Sequence, residues 1–208
     1  MSNEVKTKEK VDMDPKYIAK LAVTLFVTCV IVAGLLGFVN KLTLPNITAA
    51  NEKKTAEAIQ KVLPELEGSP VAMELTGDMT AAASGAGATV TEAYEAQAGG
   101  STIGYALKIV ASGSQGNIEM MVGVDTEGAV TGVSIVKNSE TSGIGSKVMT
   151  NQPTAKGVGV LDQFEGKTAA DAPLNVGTNV DAISGATVSS KGVTTGVNAA
   201  LAVAGVIG

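Results

Sequence analysis

The sequence contains no histidine, no tryptophan and no arginine, and it has one cysteine, Cys29, among its 208 residues. Without histidine the chain cannot form a Ser-His-Asp or Cys-His catalytic group, and it lacks a common ligand of zinc. One cysteine can neither form a disulfide within the chain nor ligate an iron–sulfur cluster. We therefore predict no catalytic and no metal-ligating side chains. A redox function would need an added cofactor.

Positive charge is also scarce beyond the N-terminal segment. Residues 41–208 carry ten lysines and sixteen acidic residues, which gives this part a formal charge of −6. Nucleic-acid binding usually requires a basic patch, so nucleic acid is not an expected partner. No complete phosphate-loop or dinucleotide-binding glycine motif is present either.

The sequence does contain one long uncharged apolar run, from Leu21 to Val39. A helix of this length spans roughly 28 Å, close to the thickness of the hydrocarbon core of a bilayer. Asp14 and Pro15 are typical of the start of such a helix, and Pro45 with Asn46 predicts its end. Lysines are denser before the run than just after it, which predicts a cytoplasmic N-terminus. A cleaved signal peptide is the alternative, but no clear Ala-x-Ala site follows the run.

The rest of the chain is predicted to form an α+β domain. Thr48–Leu63 has the periodicity of a helix, which Pro64 would stop, and residues 68–88 indicate a loop or a weak strand. A period of two then predicts an antiparallel meander with flanking helices. Its four strands are predicted at Thr89–Ala96, Thr102–Ala111, Ile118–Val124 and Val130–Val136.

These predictions divide the chain into three parts. Residues 1–13 form a cytoplasmic tail, residues 14–40 a transmembrane helix, and residues 41–208 an extracytoplasmic domain with a mainly antiparallel sheet. The expected location is the cell (inner) membrane, crossed once, with the C-terminal domain outside.

The most informative stretch of the sequence is Asp181–Lys191, which leads from a turn into an apolar helical pattern. Ser184 is a good candidate for the helix cap, and Thr187 would lie in the first turn with Ser190 and Lys191 on the same face. The free N–H groups and the dipole of a helix start favour an anionic phosphate. A plain capped helix without a ligand fits the same pattern, and the two interpretations are compatible.

A second stretch, Glu140–Gly145, forms a turn before a predicted short helix at Gly145–Met149. Its glycines would let the backbone approach a flat ring closely. An ordinary capping segment is the alternative interpretation.

Both stretches resemble motifs of the FMN-binding domain family. Asp181–Ser190 is similar to the flavin-attachment motif, in which an acidic residue precedes Ser-Gly-Ala-Thr and a hydroxyl-rich pair. Glu140–Gly145 resembles the Glu-Thr-Pro-Gly-Leu-Gly loop, with Ser142 and Ile144 at the proline and leucine positions. The resemblance implies that FMN is held covalently, by a phosphoester on Thr187.

Several further residues are assigned to the cofactor site with this resemblance in view. Asp181 is a recognition residue or a plain turn aspartate, and Tyr105 is a ring contact or, more often for a strand tyrosine, part of the core. The residues expected around the phosphate are Ser184 as the cap, with Gly185, Ala186, Ser189, Ser190 and Lys191. Those expected beside the flavin ring are Glu140, Thr141, Gly143 and Gly145.

The family includes subunits of two membrane redox pumps, the Rnf complex and the sodium-pumping NADH:quinone oxidoreductase. The resemblance implies an electron-carrying subunit of an Rnf-type complex, which couples electron transfer between ferredoxin and NAD to the transport of Na⁺ or H⁺. It also implies that the other membrane subunits are partners and that a flavin transferase attaches FMN. The alternative is a membrane-tethered binding or scaffold domain without a cofactor.

Overall fold

The computed structural model describes residues 15–207. The predicted tail, residues 1–13, and the predicted cap Asp14 lie outside the described residues. The chain opens with helix α1, Pro15–Val62. Among the described residues, α1 is the one helix that is long and apolar enough to cross a membrane, with a mean hydropathy of 2.6 over its best 18 residues.

The predicted end of this helix at Pro45 and Asn46 is wrong, because α1 continues through both residues. A proline inside a helix removes one backbone hydrogen bond, and good helix formers follow here in residues 49–62. The Thr48 hydroxyl also donates back to the Leu44 carbonyl at 3.0 Å. The predicted second helix, Thr48–Leu63, is therefore the final part of α1.

Contacts divide the chain into two compact units between Asn51 and Glu52, and the second unit contains the sheet. Five antiparallel strands pair in the order β1-β2-β3-β4-β5. Their bounds are β1 Val71–Met73, β2 Thr89–Ala98, β3 Ser101–Ser112, β4 Asn117–Asp125 and β5 Val130–Lys137. The predicted α+β class and all four predicted strands are confirmed.

Helices flank the sheet. The α-helices after α1 are α2 Gly77–Gly85, α3 Ser146–Met149 and α4 Thr187–Ile207, and short 3₁₀ turns lie at Asp162–Phe164 and Ala169–Asp171. The interpretation of residues 68–88 missed α2. This helix starts at a Thr76 cap, whose hydroxyl accepts the Met79 N–H at 3.2 Å, but its alanines and glycines give little periodic contrast.

The main core lies between one face of the sheet and helices α2 and α4. Leu107, Ile109 and Met120 from the sheet are fully buried, as are Val193 and Val197 from α4. Alternation along the strands and helical spacing along α4 produce these two matching apolar faces. The core therefore holds α4 against the sheet.

A smaller core covers the opposite face of the sheet, where the last turns of α1 pack. Ile59 and Val62 are buried there. Val62 lies over Gly123 and Gly132, which are register partners in β4 and β5. The Thr131 hydroxyl donates to the Val62 carbonyl at 2.5 Å and so satisfies one of the free acceptors at the helix end.

Candidate cofactor site

Helix α4 begins at Thr187, and no side chain within residues 15–207 caps its first N–H groups. The carbonyl of Ala186 accepts the Ser190 N–H at 2.9 Å, so Ala186 occupies the cap position. The predicted cap, Ser184, is exposed and lies three residues before the helix. Gly185 has φ +82 between them, a conformation that favours glycine and that turns the chain into the helix.

The first backbone N–H groups of α4 are available to a ligand. Within residues 15–207, the N–H groups of Thr187, Val188 and Ser189 have no hydrogen-bond acceptor. The Thr187 and Val188 side chains are exposed at this helix start. Three unpaired donors at the positive end of a helix dipole form a site for an anion.

The two serines that follow use their hydroxyls to hold the turn. Ser190 is buried, donates to the Ala186 carbonyl at 3.0 Å and accepts the Ile183 N–H at 3.4 Å. Ser189 is also buried, and its hydroxyl donates to a carboxylate oxygen of Glu140 at 2.5 Å. Ser189 lines the same cavity as Thr187, whereas Ser190 lines neither cavity near it, and both hydroxyls already have protein partners.

Glu140 joins three segments of the chain. Besides the Ser189 hydroxyl, its carboxylate accepts the N–H groups of Ser114 at 2.7 Å and Gln115 at 3.2 Å, in the turn between β3 and β4. A Cβ atom at Gly145 would collide with the Glu140 side chain. Glycine there lets the loop, the turn and the start of α4 meet around one carboxylate.

A cavity of about 160 Å³ lies where the two predicted motifs meet. It is lined by seven predicted residues, Glu140, Thr141, Gly145, Gly185, Ala186, Thr187 and Ser189, together with Ser114, Ile144 and Val188. The structure thus brings together two segments that are forty or more residues apart in sequence. Gly143 is exposed outside this lining, and its N–H donates to the Ser146 hydroxyl at 2.8 Å.

A larger cleft of about 490 Å³ also contains Thr187. Its other lining residues are Lys147, Gln152, Pro153, Thr154, Ala155, Ala182, Ile183 and Ser184. The sequence reasoning missed Lys147 and Thr154. The position of Lys147 two residues after the Glu140–Gly145 loop was the available signal.

Two side-chain amides hold the chain segments next to this cleft. The Gln163 side chain accepts the Asp181 N–H at 2.8 Å and donates to the Asp181 carbonyl at 2.9 Å. The Asn151 side chain accepts the Leu161 N–H at 2.7 Å. The Asp181 carboxylate pairs with Lys156 at 2.9 Å, which gives Asp181 a structural contact in this turn.

Two other predicted residues lie away from both cavities among the described residues. Lys191 is exposed on α4 and lines neither of them. Tyr105 is half-buried and packs against the main core, in agreement with the core alternative for this strand tyrosine.

A family model described as the FMN-binding domain matches residues 113–202. That segment includes the Glu140 loop, the Thr187 helix start and all the residues that line the two cavities. Fold, site and family match together define a protein with an FMN-binding domain.

Relatives matched along nearly the whole chain narrow this class. The chain is 34% identical to the G subunit of the Na(+)-translocating ferredoxin:NAD(+) oxidoreductase complex of Acetobacterium woodii, over 96% of this chain and 97% of that protein. It is 30% identical to the G subunit of the ion-translocating oxidoreductase complex of Methanosarcina acetivorans, over 90% and 95%. The chain therefore belongs to the family of G subunits of Rnf-type ion-translocating oxidoreductase complexes.

A solved structure, that of the C subunit of the Na(+)-translocating NADH-quinone reductase from Parabacteroides distasonis, is also similar. It is 18% identical, with a TM-score of 0.48 over 77% of this chain and 93% of that one.

Proposed function

We propose that this chain is a membrane-anchored flavoprotein subunit that relays electrons through covalently bound FMN within an Rnf-type ion-translocating complex. The observation that carries the proposal is the exposed Thr187 at an uncapped helix start, in a cavity that it shares with the Glu140 loop. When bound, FMN supplies reversible electron-transfer chemistry that the side chains of this chain lack.

The residues present fit a phosphate ester on the Thr187 oxygen. The unpaired N–H groups of Thr187, Val188 and Ser189 can donate to phosphate oxygens, and the helix dipole favours the negative charge. Ser190 acts by holding the turn rather than by touching the phosphate, because its hydroxyl is buried and bonded.

Glu140 acts as a positioning residue in this proposal. Its carboxylate holds the Ser189 hydroxyl, and so sets where the first turn of α4 lies against the turn between β3 and β4. The exposed backbone at Thr141 and Gly143 leaves the loop open to the cofactor, and Gly145 lets the loop lie close to the side chains of Glu140 and Ser189. Lys191 is close to the helix start and adds positive charge at longer range.

The rest of the proposal concerns topology and partners. Residues 1–13 are a cytoplasmic tail, the span lies within residues 14–40, and residues 41–208 form the extracytoplasmic domain. The subunit assembles with other membrane subunits, and a flavin transferase attaches FMN to Thr187. Transported Na⁺ or H⁺ crosses elsewhere, because the apolar run Leu21–Val39 contains no Asp, Glu, Lys or Arg for a pathway.

The test is to produce the full-length chain together with a flavin transferase and to compare it with Thr187→Val. We expect the chain with the natural Thr187 to be yellow and to gain the mass of one FMN attached through its phosphate. Thr187→Val keeps the shape of the side chain but lacks the oxygen, so it should stay colourless. The chain made without transferase is the control for adventitious flavin.

Covalent flavin that persists in Thr187→Val would contradict the assignment. A chain that carries no flavin when a competent transferase is present would favour the alternative, a tethered scaffold domain without a cofactor.

A further inference from the structure

We propose that Lys147 supplies the positive charge beside the flavin ring of bound FMN, in the cleft that it shares with Thr187. This inference rests on the proposed function. It adds the place where the flavin ring binds and the residue that sets the redox potential of the ring. The sequence predicted a different arrangement, with the ring beside Glu140–Gly145 and Lys191 at the phosphate.

The first argument is the state of the Lys147 side chain. It is half-buried, and within residues 15–207 no carboxylate lies within ion-pair distance of its ammonium group. Partly burying a charge is unfavourable unless a counter-charge is present. An ammonium group without a partner, in the same cleft as the attachment hydroxyl, is therefore a site for an anionic ligand.

The second argument is that the Lys147 backbone is held in place. Its N–H donates to the Ile144 carbonyl at 3.1 Å, and its carbonyl accepts the Gln152 N–H at 2.9 Å. The preceding loop is anchored by Glu140 to the start of α4. Lys147 and Thr187 are thus positioned through the same network, and a charge on Lys147 has a defined relation to a group on Thr187.

The third argument is size. Small-molecule sites usually have volumes of roughly 300–1,000 Å³. The cleft at Lys147 has about 490 Å³, whereas the cavity between the two motifs has about 160 Å³. Of the two spaces, the larger has the volume usual for a ligand of this size, so we assign the ring to it and the phosphate ester to the turn at the smaller cavity.

The consequence for function is electrostatic. Reduction adds negative charge to the flavin ring, so a nearby ammonium group stabilises the reduced form and raises the midpoint potential. Removing the charge of Lys147, or adding a negative charge to the same cleft, should lower the potential. Gln152 is exposed in that cleft, so it is the position at which a negative charge can be added.

The experiment uses the full-length chain produced with a flavin transferase. Intact mass gives the flavin load, and a spectroelectrochemical titration gives the midpoint potential. We expect Lys147→Gln and Gln152→Glu to keep the flavin mass while each lowers the equilibrium constant for reduction by roughly tenfold. Lys54→Gln, which removes an exposed charge from α1, is the matched control and should leave the potential unchanged.

Two further variants test the other two arrangements, in which the ring lies in the smaller cavity or Lys191 supplies the positive charge. Thr141→Asp places a negative charge in the smaller cavity, and Lys191→Gln removes the lysine that the sequence favoured. An unchanged potential in both Lys147→Gln and Gln152→Glu would overturn the inference, as would a larger drop in either of the further variants. Loss of the flavin mass from a folded Lys147→Gln would place the ammonium group at the phosphate and overturn the ring assignment.

Gln152→Glu keeps the test decisive if Lys147→Gln does not fold. Failure of the proposed function has a different signature, because the unmodified chain would then carry no flavin on Thr187 in the first place.

Discussion

At the scale of single residues, the site is defined by which polar groups are already bonded. The hydroxyls of Ser189 and Ser190 have protein partners, whereas Thr187 is exposed at the helix start. A group that attaches to Thr187 therefore meets free backbone donors without first breaking a side-chain bond. The hydroxyls of the neighbouring serines hold the protein together at this site, and the Thr187 side chain is exposed beside them.

We expect Glu140→Ala to destabilise this arrangement. The substitution removes a charged acceptor of three hydrogen bonds, from Ser189, Ser114 and Gln115, and should lower the free energy of unfolding by roughly 1–3 kcal/mol. The flavin load should fall as well, because Ser189 is no longer held. Thermal unfolding and intact mass are the measurements.

The control for that variant is Glu165→Ala, which removes an exposed acidic side chain and should change neither quantity. Equal melting temperatures and equal flavin loads in the two variants would show that Glu140 does not position the helix start.

Seven of the ten residues that line the small cavity belong to the predicted set, because they lie in the two stretches that resemble family motifs. The sequence did not predict Lys147 or Thr154 in the larger cleft. Their positions depend on the path of residues 150–163, where Asn151 has φ +54 and its side chain bonds to Leu161. A run of turns with no periodicity gives no signal for such a path.

At the scale of secondary-structure elements, helix α4 positions the site through its close packing on the sheet. A Cβ atom at Gly192 would lie 2.5 Å from the carbonyl oxygen of Ser112 and 3.3 Å from the Cα of Gly113. These are backbone atoms, which cannot move aside as a flexible side chain could. The absence of a side chain at Gly192 therefore sets the distance between α4 and the turn that follows β3.

Gly192→Ala should push α4 away from the sheet and lower the free energy of unfolding by roughly 1–3 kcal/mol, with a reduced flavin load. Gly205→Ala is the matched change in the same helix, where nothing lies within 4 Å of the new Cβ. It should stabilise the chain by up to about 1 kcal/mol through helix propensity. Melting temperatures that move in the same direction in both variants would contradict the packing argument.

The pairing of β2 with β3 predicts a pH dependence. Burial alone would raise the pKa of Glu92, but hydrogen bonds from Lys108 and Tyr94 and the charge of Lys108 outweigh it and hold that pKa below its ordinary value of 4.5. Burial and then the hydrogen bond to Glu92 raise the pKa of Tyr94 to about 12.

A carboxyl whose pKa is lowered by folding contributes stability above its ordinary pKa, and that contribution is lost as the pH falls through the folded value. Lys108→Met should therefore lower the melting temperature at pH 7, and the difference should shrink below about pH 4.5. For Tyr94 the raised pKa has the opposite sign, so its contribution is present below pH 10 and is lost towards pH 12. A difference for Lys108→Met that stays constant from pH 7 to pH 3 would contradict this account.

The strands were predictable because apolar and polar residues alternate along each of them. This alternation is visible in the sequence without knowing how the strands pair. The helices were less predictable. Pro45 indicates the end of a helix, because proline removes a backbone hydrogen bond. Helix α1 nevertheless continues through it, since the residues after Pro45 favour a helix. Helix α2 consists mostly of small residues, so its sequence shows little contrast between an apolar and a polar face. Its helical period could therefore not be detected from the sequence.

At the scale of the whole molecule, one apolar helix precedes a domain that lacks redox chemistry of its own. The lysine pattern predicts that this domain lies outside the cytoplasm. In a Cys29→Ser background, we expect Glu127→Cys to react with a membrane-impermeant maleimide on intact cells. Ser2→Cys should react after the cells are opened.

Glu127 lies in the exposed turn between β4 and β5, so an unreactive thiol there would not result from burial. The reverse labelling pattern would place the domain in the cytoplasm and contradict the proposed topology.

The most direct test of the account is the mass of this subunit isolated from the native membrane complex, followed by peptide mapping. The account predicts one FMN phosphoryl adduct, carried by the peptide that contains Thr187. An unmodified Thr187 in an active complex would contradict the claim that this chain relays electrons through covalently bound flavin.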